Sequence, residues 1–229
     1  MSKALILDFG GVRSRTMIET HALSEHALGL PPGTLRWRGP FDPSTDAPWC
    51  DMQAGRISER DYWQARSAEV GRLVGEDWTR MQDFVQRARG ADPASVIRPE
   101  AVAAIEAASA AGCKLAVLSN ELDLFYGPGF RHRLALLQRF EVIVDATYTG
   151  ILKPDPRAYL DCLATLGVPA RDAVFVDDQG RNVQGALALG MASVHFDVTA
   201  PAASFRRALA LLGVPPPEGL ALGDGQDIG

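Results

Sequence analysis

The sequence predicts an α/β protein with a doubly wound parallel sheet, and two observations support this fold class. From about residue 98, short apolar segments alternate with segments of helical periodicity, which is typical of consecutive βαβ units. An earlier apolar run, residues 3–7, ends in Asp8 and two glycines, as a buried parallel strand ends at a sharp turn. Such sheets place their chemistry at the carboxyl ends of the strands, so Asp8 is the first candidate functional residue.

After residue 98, helices and strands are predicted in alternation. The predicted helices are residues 99–111, 134–140, 155–166 and 183–190, and the predicted strands are residues 114–118, 141–145, 173–177 and 192–196. Gly112, Gly167 and Gly190 each follow a helical segment, where a cap residue with positive φ favours glycine. These glycines strengthen the helix predictions.

Residues 16–95 differ from the rest, because they show helical periodicity without a convincing strand and contain all four tryptophans. Ser58, with Asp61 three residues later, predicts a helix start of the capping-box kind. The proline- and glycine-rich C-terminal segment is expected to be poorly ordered. The predicted domains are a core of residues 1–15 and 96–212, a helical domain of residues 16–95 inserted after the first strand, and a flexible tail of residues 213–229.

Composition excludes several classes of protein. The chain has 229 residues, 47% of them hydrophobic and 22% charged, with no apolar run long enough to cross a bilayer. A net charge of −5 disfavours nucleic acid and membrane surfaces as partners. The three cysteines form no CxxC pair and the four histidines show no metal-ligand spacing, so neither a disulfide framework nor a zinc site is predicted. No secretory leader precedes the first strand, which predicts a cytoplasmic location.

Polar residues also follow three later strands. Ser119 and Asn120 end the second strand, and both can donate hydrogen bonds to an anionic oxygen. Lys153 follows the third strand in a stiff Lys-Pro-Asp-Pro turn, where it can neutralise a bound anion. Asp177 and Asp178 end the fourth strand, and adjacent carboxylates repel each other unless a cation or hydrogen bonds compensate. A few hard oxygen ligands favour Mg²⁺ over zinc or a calcium cage.

Taken in this order, the four segments resemble the motifs of the haloacid dehalogenase-like hydrolase superfamily, and the resemblance covers residues 1–14 and 96–200. It implies a Rossmann-like core with a helical cap. It also implies a Mg²⁺-dependent phosphatase that acts on a small anionic, phosphorylated metabolite through an aspartyl-phosphate. Substrate identity and oligomeric state are not predicted.

The resemblance also implies roles for individual residues. Asp8 is the nucleophile, and Lys153 steadies both the nucleophile and the transferring group. Ser119, Asn120 and Gly11 bind the transferring group. The implied Mg²⁺ ligands are Asp8, the Gly10 carbonyl and Asp178, with Asp177 and Asn182 supporting the metal site.

Gly10 departs from the phosphatase pattern. Many phosphatases of the family carry a second aspartate here, which serves as the general acid and base and gives the metal its backbone carbonyl. Glycine keeps only the carbonyl, and Asp-x-Gly is similar to the motif of some sugar-phosphate phosphatase-like members. We expect Gly10 to occupy a turn that requires positive φ. Substitute proton donors to consider are Glu121, Glu19 and His21, although a structural role is expected for each.

Two alternative functions stay open. In a 2-haloacid dehalogenase Asp8 would attack carbon and halide would leave without a proton, which tolerates Gly10. The adjacent Asp177 and Asp178 disfavour this reaction, because dehalogenases of the family need no metal. A catalytically weak relative that binds a ligand is the third interpretation, which the retained Lys153 disfavours. Four arginines are candidates to line the approach of an anionic substrate, although arginine is more usually solvated: Arg13, Arg15, Arg36 and Arg38.

Overall fold

A computed structural model describes residues 2–89, 93–127 and 129–220 of the chain, which divide into two units. The core unit comprises the described residues of Met1–Ser14, Ile97–Asn120 and Leu136–Gly229. The helical unit comprises those of Arg15–Val96 and Glu121–Ala135.

The core unit contains a five-stranded parallel sheet. Its strands are β1 (Ala4–Leu7), β2 (Lys114–Ser119), β3 (Val142–Asp145), β4 (Ala173–Asp177) and β5 (Ala192–His195). They lie in the order β3-β2-β1-β4-β5, and every neighbouring pair is parallel. Leu7 at the end of β1 is in register with Val117 and Val176. The predicted parallel α/β sheet is therefore confirmed, and the residues that follow its three central strands meet at one edge.

The described residues of the two units also form eleven α-helices. They are α1 (His21–Leu28), α2 (Ala47–Gln53), α3 (Glu59–Leu73), α4 (Met81–Arg89), α5 (Pro99–Ala110), α6 (Leu122–Tyr126), α7 (Phe130–Arg133), α8 (Ala146–Thr149), α9 (Pro156–Leu166), α10 (Gly180–Ala188) and α11 (Pro201–Leu212). Gly112, Gly167 and Gly190 have positive φ, as predicted. Within the described part of the chain, no helix combines the length and the apolar character needed to cross a membrane.

Residues 134–140 were predicted as an α-helix, and this prediction is wrong. They contain a 3₁₀-helix, Ala135–Arg139, instead. The buried apolar side chains Leu134, Leu137 and Phe140 recur every third residue, which is the period of a 3₁₀-helix rather than of an α-helix. The sequence analysis also gave no helix at α11, which Gly213 ends in the left-handed conformation.

Helices cover both faces of the sheet. The side chains of Ala4 and Ile6 on β1 join a buried cluster with Tyr159 of α9 and Ala186 of α10. Because side chains alternate along a strand, the equally buried Leu5 and Leu7 face the other side. There α5 and α11 pack against each other and against the strands. Both faces of β1 are dry, so its position is firmly fixed.

An aromatic cluster forms the interior of the helical unit. The ring of Trp37 packs edge to face against His21 at 4.2 Å and against Phe84 at 6.3 Å between centroids. The predicted capping box at the start of α3 is present, because Ser58 and Asp61 each accept a hydrogen bond from the other's backbone N–H.

The observed units differ from the predicted ranges in two places. Residues 121–135, which the predicted core included, group with the helical unit because Phe125 and Tyr126 pack against its aromatic cluster. Residues 213–220 are anchored rather than flexible, since Leu220 is buried and its carbonyl accepts a hydrogen bond from Arg206 at 3.0 Å. The rest of the predicted tail, residues 221–229, lies outside the described residues.

Candidate active site

A buried lysine joins two of the predicted site residues at the carboxyl edge of the sheet. Lys153 Nζ donates to Asp8 Oδ1 at 2.7 Å and to Asp177 Oδ2 at 2.6 Å. The Lys153 and Asp177 side chains are 1% and 0% exposed, whereas that of Asp8 is 13% exposed. Asp8 is therefore the member of this trio that solvent, and hence a substrate, can reach.

Burial and charge act in opposite directions on these groups. Burial raises the pKa of Asp8, the Lys153 ammonium works against that rise, and the Asp177 carboxylate adds to it. The resulting pKa of Asp8 lies above its ordinary value. Burial lowers the pKa of Lys153, but Asp177 and Asp8 more than offset this, so the pKa of Lys153 is raised and the amine stays charged.

Asp177 is held by several donors besides the lysine. Asn182 Nδ2 lies 3.1 Å from both of its carboxylate oxygens, and the Gln179 backbone N–H donates to Oδ1 at 2.8 Å. Tyr159 in turn donates its hydroxyl to the Asn182 carbonyl at 2.7 Å. The carboxylate of Asp177 therefore serves as a fixed anchor for Lys153.

Asn120 fixes the lysine from the other side. Its Oδ1 accepts from the Lys153 backbone N–H at 2.7 Å, and its Nδ2 donates to the Lys153 carbonyl at 3.2 Å. This amide was predicted to donate to an anionic oxygen, but in the structure both its oxygen and its nitrogen bind the Lys153 backbone. Ser119, which ends β2, is buried beside it.

Three carboxylates form a cluster that could hold a cation. One oxygen each of Asp8, Asp177 and Asp178 lies within 4.8 Å of the others. With Lys153 as their counter-ion, the three carboxylates leave an excess of negative charge. Hard carboxylate oxygens are the donors that Mg²⁺ prefers, so the donor set fits the implied metal. Because Asp177 already accepts from several donors, Asp8 and Asp178 are the better-placed ligands.

The two glycines that follow Asp8 and Phe9 have different constraints. Gly11, not Gly10, adopts positive φ, at 73°. A Cβ at Gly11 would also lie 2.5 Å from Asp178 Oδ2, whereas at Gly10 nothing among the described residues lies within 4 Å of that position. The expectation that Gly10 requires positive φ is therefore wrong, because the turn takes its left-handed residue one position later.

The substitute proton donors all belong to the helical unit and have structural contacts there. Glu19 accepts from the backbone N–H of Thr16 at 2.8 Å, and Glu121 accepts from Arg60 at 2.6 Å. Burial lowers the pKa of His21 to about 4, so its ring is neutral at pH 7.

The four arginines are not alike. Arg13 is completely buried in the core unit, which contradicts its predicted place on a substrate approach. Arg15 is half-buried, and Arg36 and Arg38 are exposed on the helical unit.

Arg98 was missed by the sequence analysis. It is buried in the core unit, and its Nε donates to the Gly11 carbonyl at 3.0 Å. Its place just before Pro99, at the start of a helix, is unremarkable in the sequence.

One protein family and several curated proteins match this chain. A family model described as haloacid dehalogenase-like hydrolase matches residues 20–190. Phosphatase MT3486 of Mycobacterium tuberculosis (strain CDC 1551 / Oshkosh) is 33% identical over 135 residues, covering 59% of this chain and 58% of that protein. Acyl-CoA dehydrogenase family member 10 of Mus musculus is 36% identical over 118 residues, covering 51% of this chain and 11% of that protein. The chain thus spans less than two thirds of the length of these curated relatives.

Solved structures share the fold. The HAD phosphatase from Thermococcus onnurineus superposes with a TM-score of 0.55 at 19% identity, covering 94% of this chain and 100% of that one. L-2-haloacid dehalogenase from Xanthobacter autotrophicus gives a TM-score of 0.55 at 23% identity, covering 92% and 83%. Because a phosphatase and a dehalogenase match equally well, the fold alone does not separate the two reactions.

Proposed function

The chain belongs to the haloacid dehalogenase-like hydrolases, and on that premise we propose that it is a Mg²⁺-dependent phosphatase of a small phosphorylated metabolite. The observation that carries the proposal is the contact of Lys153 Nζ with Asp8 Oδ1 at 2.7 Å, beside the cluster of Asp8, Asp177 and Asp178. A nucleophilic carboxylate, a fixed cation and a set of oxygen ligands are what phosphoryl transfer through an aspartyl-phosphate needs. A relative named as a phosphatase supports the same reaction.

Asp8 performs the covalent chemistry in this proposal. Lys153 binds Oδ1, so we assign the attack on phosphorus to Oδ2. The bond from phosphorus to the leaving oxygen breaks, and the electron pair leaves with that oxygen, which then takes a proton from water. A second water hydrolyses the aspartyl-phosphate and releases phosphate, which returns Asp8 to its carboxylate form.

Charge stabilisation provides most of the catalysis in this scheme. The Lys153 ammonium favours the ionised form of Asp8 and faces the negative charge of the transferring group. Asp8, Asp178 and the Gly10 carbonyl would hold Mg²⁺, which when bound supplies positive charge to the phosphoryl oxygens. Asn120 and Asp177 contribute indirectly, since they fix the backbone and the ammonium of Lys153.

The remaining predicted roles follow the same scheme. We assign binding of the phosphoryl oxygens to the Ser119 hydroxyl and the Gly11 backbone N–H. Asn182 supports the site by holding Asp177. The helical unit, which the sequence inserts after β1, serves as a cap that selects among small anionic metabolites.

The dehalogenase reaction is the alternative that Gly10 favours, because halide leaves without a proton. A 2-haloacid carries a carboxylate, which three clustered carboxylates repel unless a cation joins them. The acidic cluster therefore favours the phosphatase. The presence of Asp8, Lys153 and Asp178 together also disfavours a catalytically weak binding protein.

The decisive experiment measures phosphate release by the purified chain. The panel contains p-nitrophenyl phosphate, phosphoglycolate and sugar phosphates, each with Mg²⁺ and with EDTA. Chloride release from 2-chloropropionate is measured in parallel. Mg²⁺-dependent phosphate release supports the proposal. Chloride release without phosphate release from any panel member would assign the dehalogenase reaction, and release of neither would favour the binding protein.

A further inference from the structure

Arg13 makes an unusual contact with the backbone of the nucleophile. It is 0% exposed, and its Nε donates to the Asp8 carbonyl oxygen at 3.0 Å. The guanidinium lies over the rings of Phe9 and Phe140, with its Cζ 4.7 Å from each centroid. A planar cation between two aromatic rings is held in one orientation.

Moving a guanidinium out of water costs free energy, so other contacts must stabilise Arg13 in the interior. Arginine does not lose its proton in proteins. Hydrogen bonds and aromatic contacts must therefore compensate for the lost hydration of the buried cation. An apolar side chain at position 13 would fit the interior between Phe9 and Phe140 without that cost. What an apolar side chain lacks is the donor for the Asp8 carbonyl.

With the hydrogen bond from Arg13, the backbone of Asp8 is held on both sides of its Cα. Its backbone N–H donates to the Val176 carbonyl of β4 at 2.9 Å. Its carbonyl accepts from Arg13, and these two contacts together set the direction in which the carboxylate leaves the chain. Only the second contact comes from a side chain, so only that one can be removed by substitution.

A second buried arginine supports the same turn. Arg98 Nε donates to the Gly11 carbonyl at 3.0 Å, and the Arg98 backbone N–H donates to the Arg13 carbonyl at 2.9 Å. The turn from Asp8 to Gly11 is therefore held at both ends by guanidinium groups of the core unit.

We infer that Arg13 is a positioning residue: its guanidinium, held against the rings of Phe9 and Phe140, aims the carboxylate of Asp8 by binding the carbonyl of the same residue. The inference rests on the proposed function for its effect on rate. It concerns orientation rather than substrate binding, so its removal should lower kcat and leave KM nearly unchanged. A displacement of about 1 Å in a nucleophile lowers rates by up to about a hundredfold.

The test compares Arg13→Met with Arg13→Lys and with the control Arg157→Met. Methionine keeps an unbranched chain between the rings but has no donor, and lysine restores a donor without the planar group. Arg157 is an exposed residue paired with Asp155 and lies outside the site. We expect kcat for p-nitrophenyl phosphate to fall about tenfold to a hundredfold in Arg13→Met, to recover partly in Arg13→Lys and to stay unchanged in the control.

An activity-independent measurement separates this inference from the proposed function. The backbone ¹³C shift of the Asp8 carbonyl reports the hydrogen bond, and it should move in Arg13→Met but not in Arg157→Met. A folded Arg13→Met protein with wild-type kcat, or with an unchanged Asp8 carbonyl shift, overturns the inference. If wild type releases no phosphate, the proposed function fails, and the carbonyl shift alone decides whether Arg13 holds Asp8.

Should Arg13→Met not fold, Phe140→Leu replaces it. This variant removes one ring and keeps the guanidinium, so it should move the Asp8 carbonyl shift and lower kcat less than loss of the donor does. An unchanged shift together with an unchanged kcat in folded Phe140→Leu would contradict the inference.

Discussion

Gly11 and Asp178 approach each other so closely that no side chain fits between them. A Cβ on Gly11 would lie 2.5 Å from Oδ2 and 2.9 Å from Cγ of Asp178. The turn after Asp8 and the end of β4 therefore pack closely against each other. The residue type at position 11 controls where the side chain of Asp178, a proposed metal ligand, can lie.

This relationship makes Gly11→Ala damaging and Gly10→Ala tolerable. Alanine at position 11 must take a positive φ, which costs about 1–2 kcal/mol, and must displace Asp178. We expect lower stability and a higher Mg²⁺ concentration for half-maximal activity. Urea unfolding and Mg²⁺ titration of the rate measure both effects. Gly10→Ala is the matched control, and an equal loss in the two variants would contradict the steric argument.

Gly10→Asp tests the missing proton donor. Without a donor, wild type should hydrolyse aryl phosphates faster than alkyl phosphates, because poor leaving groups then depart unprotonated. No described residue lies within 4 Å of a Cβ at Gly10 and its φ is not left-handed, so the backbone there accepts a residue with a side chain. We expect the variant to depend less on leaving-group acidity. The measurement is a rate series over leaving groups of graded pKa. A flat wild-type series, with chemistry rate-limiting, would mean that another residue supplies the proton.

Asp8→Asn should abolish turnover and leave the fold intact. A neutral amide cannot form the covalent intermediate, so we expect a loss of at least about a thousandfold in kcat. The pKa of Asp8 is raised by burial, so removing its charge should not destabilise the protein. Phosphate release and thermal unfolding are measured together. Asp155→Asn, at a half-exposed carboxylate, is the control, and residual activity above a few per cent of wild type in pure Asp8→Asn would refute the nucleophile assignment.

Lys153→Met should destabilise the protein as well as inactivate it. It leaves the buried carboxylate of Asp177 without its cation and beside Asp8, and breaking a buried ion pair costs about 3–5 kcal/mol. Mg²⁺ should restore part of the stability, because it replaces some of the lost positive charge. Urea unfolding with and without Mg²⁺ checks this. Lys114→Met, which removes a hydrogen bond to the Leu166 carbonyl, is the control. Equal Mg²⁺ responses in the two variants would argue against a shared anionic site.

His21 predicts how stability depends on pH. Burial lowers its pKa to about 4 from the ordinary value of 6.5, so the unfolded chain binds more protons between these values. Its contribution is fully present above pH 6.5 and is lost as the pH falls towards 4, by roughly 2–3 kcal/mol. His21→Phe keeps a ring against Trp37, and its stability should decline less over this range. His132→Gln, at an exposed histidine, should behave as wild type. Identical pH profiles for wild type and His21→Phe would exclude His21 as a cause.

The strands, and which of them end in candidate functional residues, could be predicted because β1, β2 and β4 are apolar runs with polar ends. A buried parallel strand leaves that pattern in the sequence by itself. The sequence predicted that Asp8, Lys153 and Asp177 lie at one edge of the sheet. It did not predict that Lys153 contacts both carboxylates.

Details that depend on packing could not be predicted. Whether Arg13 is solvated or buried depends on Phe140, which is distant in the sequence. The left-handed residue is Gly11 rather than Gly10, and the sequence does not show that Asp178 occupies the space beside it. The 3₁₀-helix near residue 137 was mistaken for an α-helix because short apolar segments do not distinguish the two periods.

The central position of β1 has a consequence for how the protein is made. Ala4 pairs with Lys114 on one side and with Ala173 on the other, so β1 gains its first sheet neighbour only after residue 114 is made and its second only after residue 173 is made. Its apolar side chains stay exposed until those partner strands are made, and such long-range pairing is slow. Nascent or truncated chains that end before β4 would expose this strand and lack Asp177. A fragment of this kind should aggregate instead of retaining partial activity.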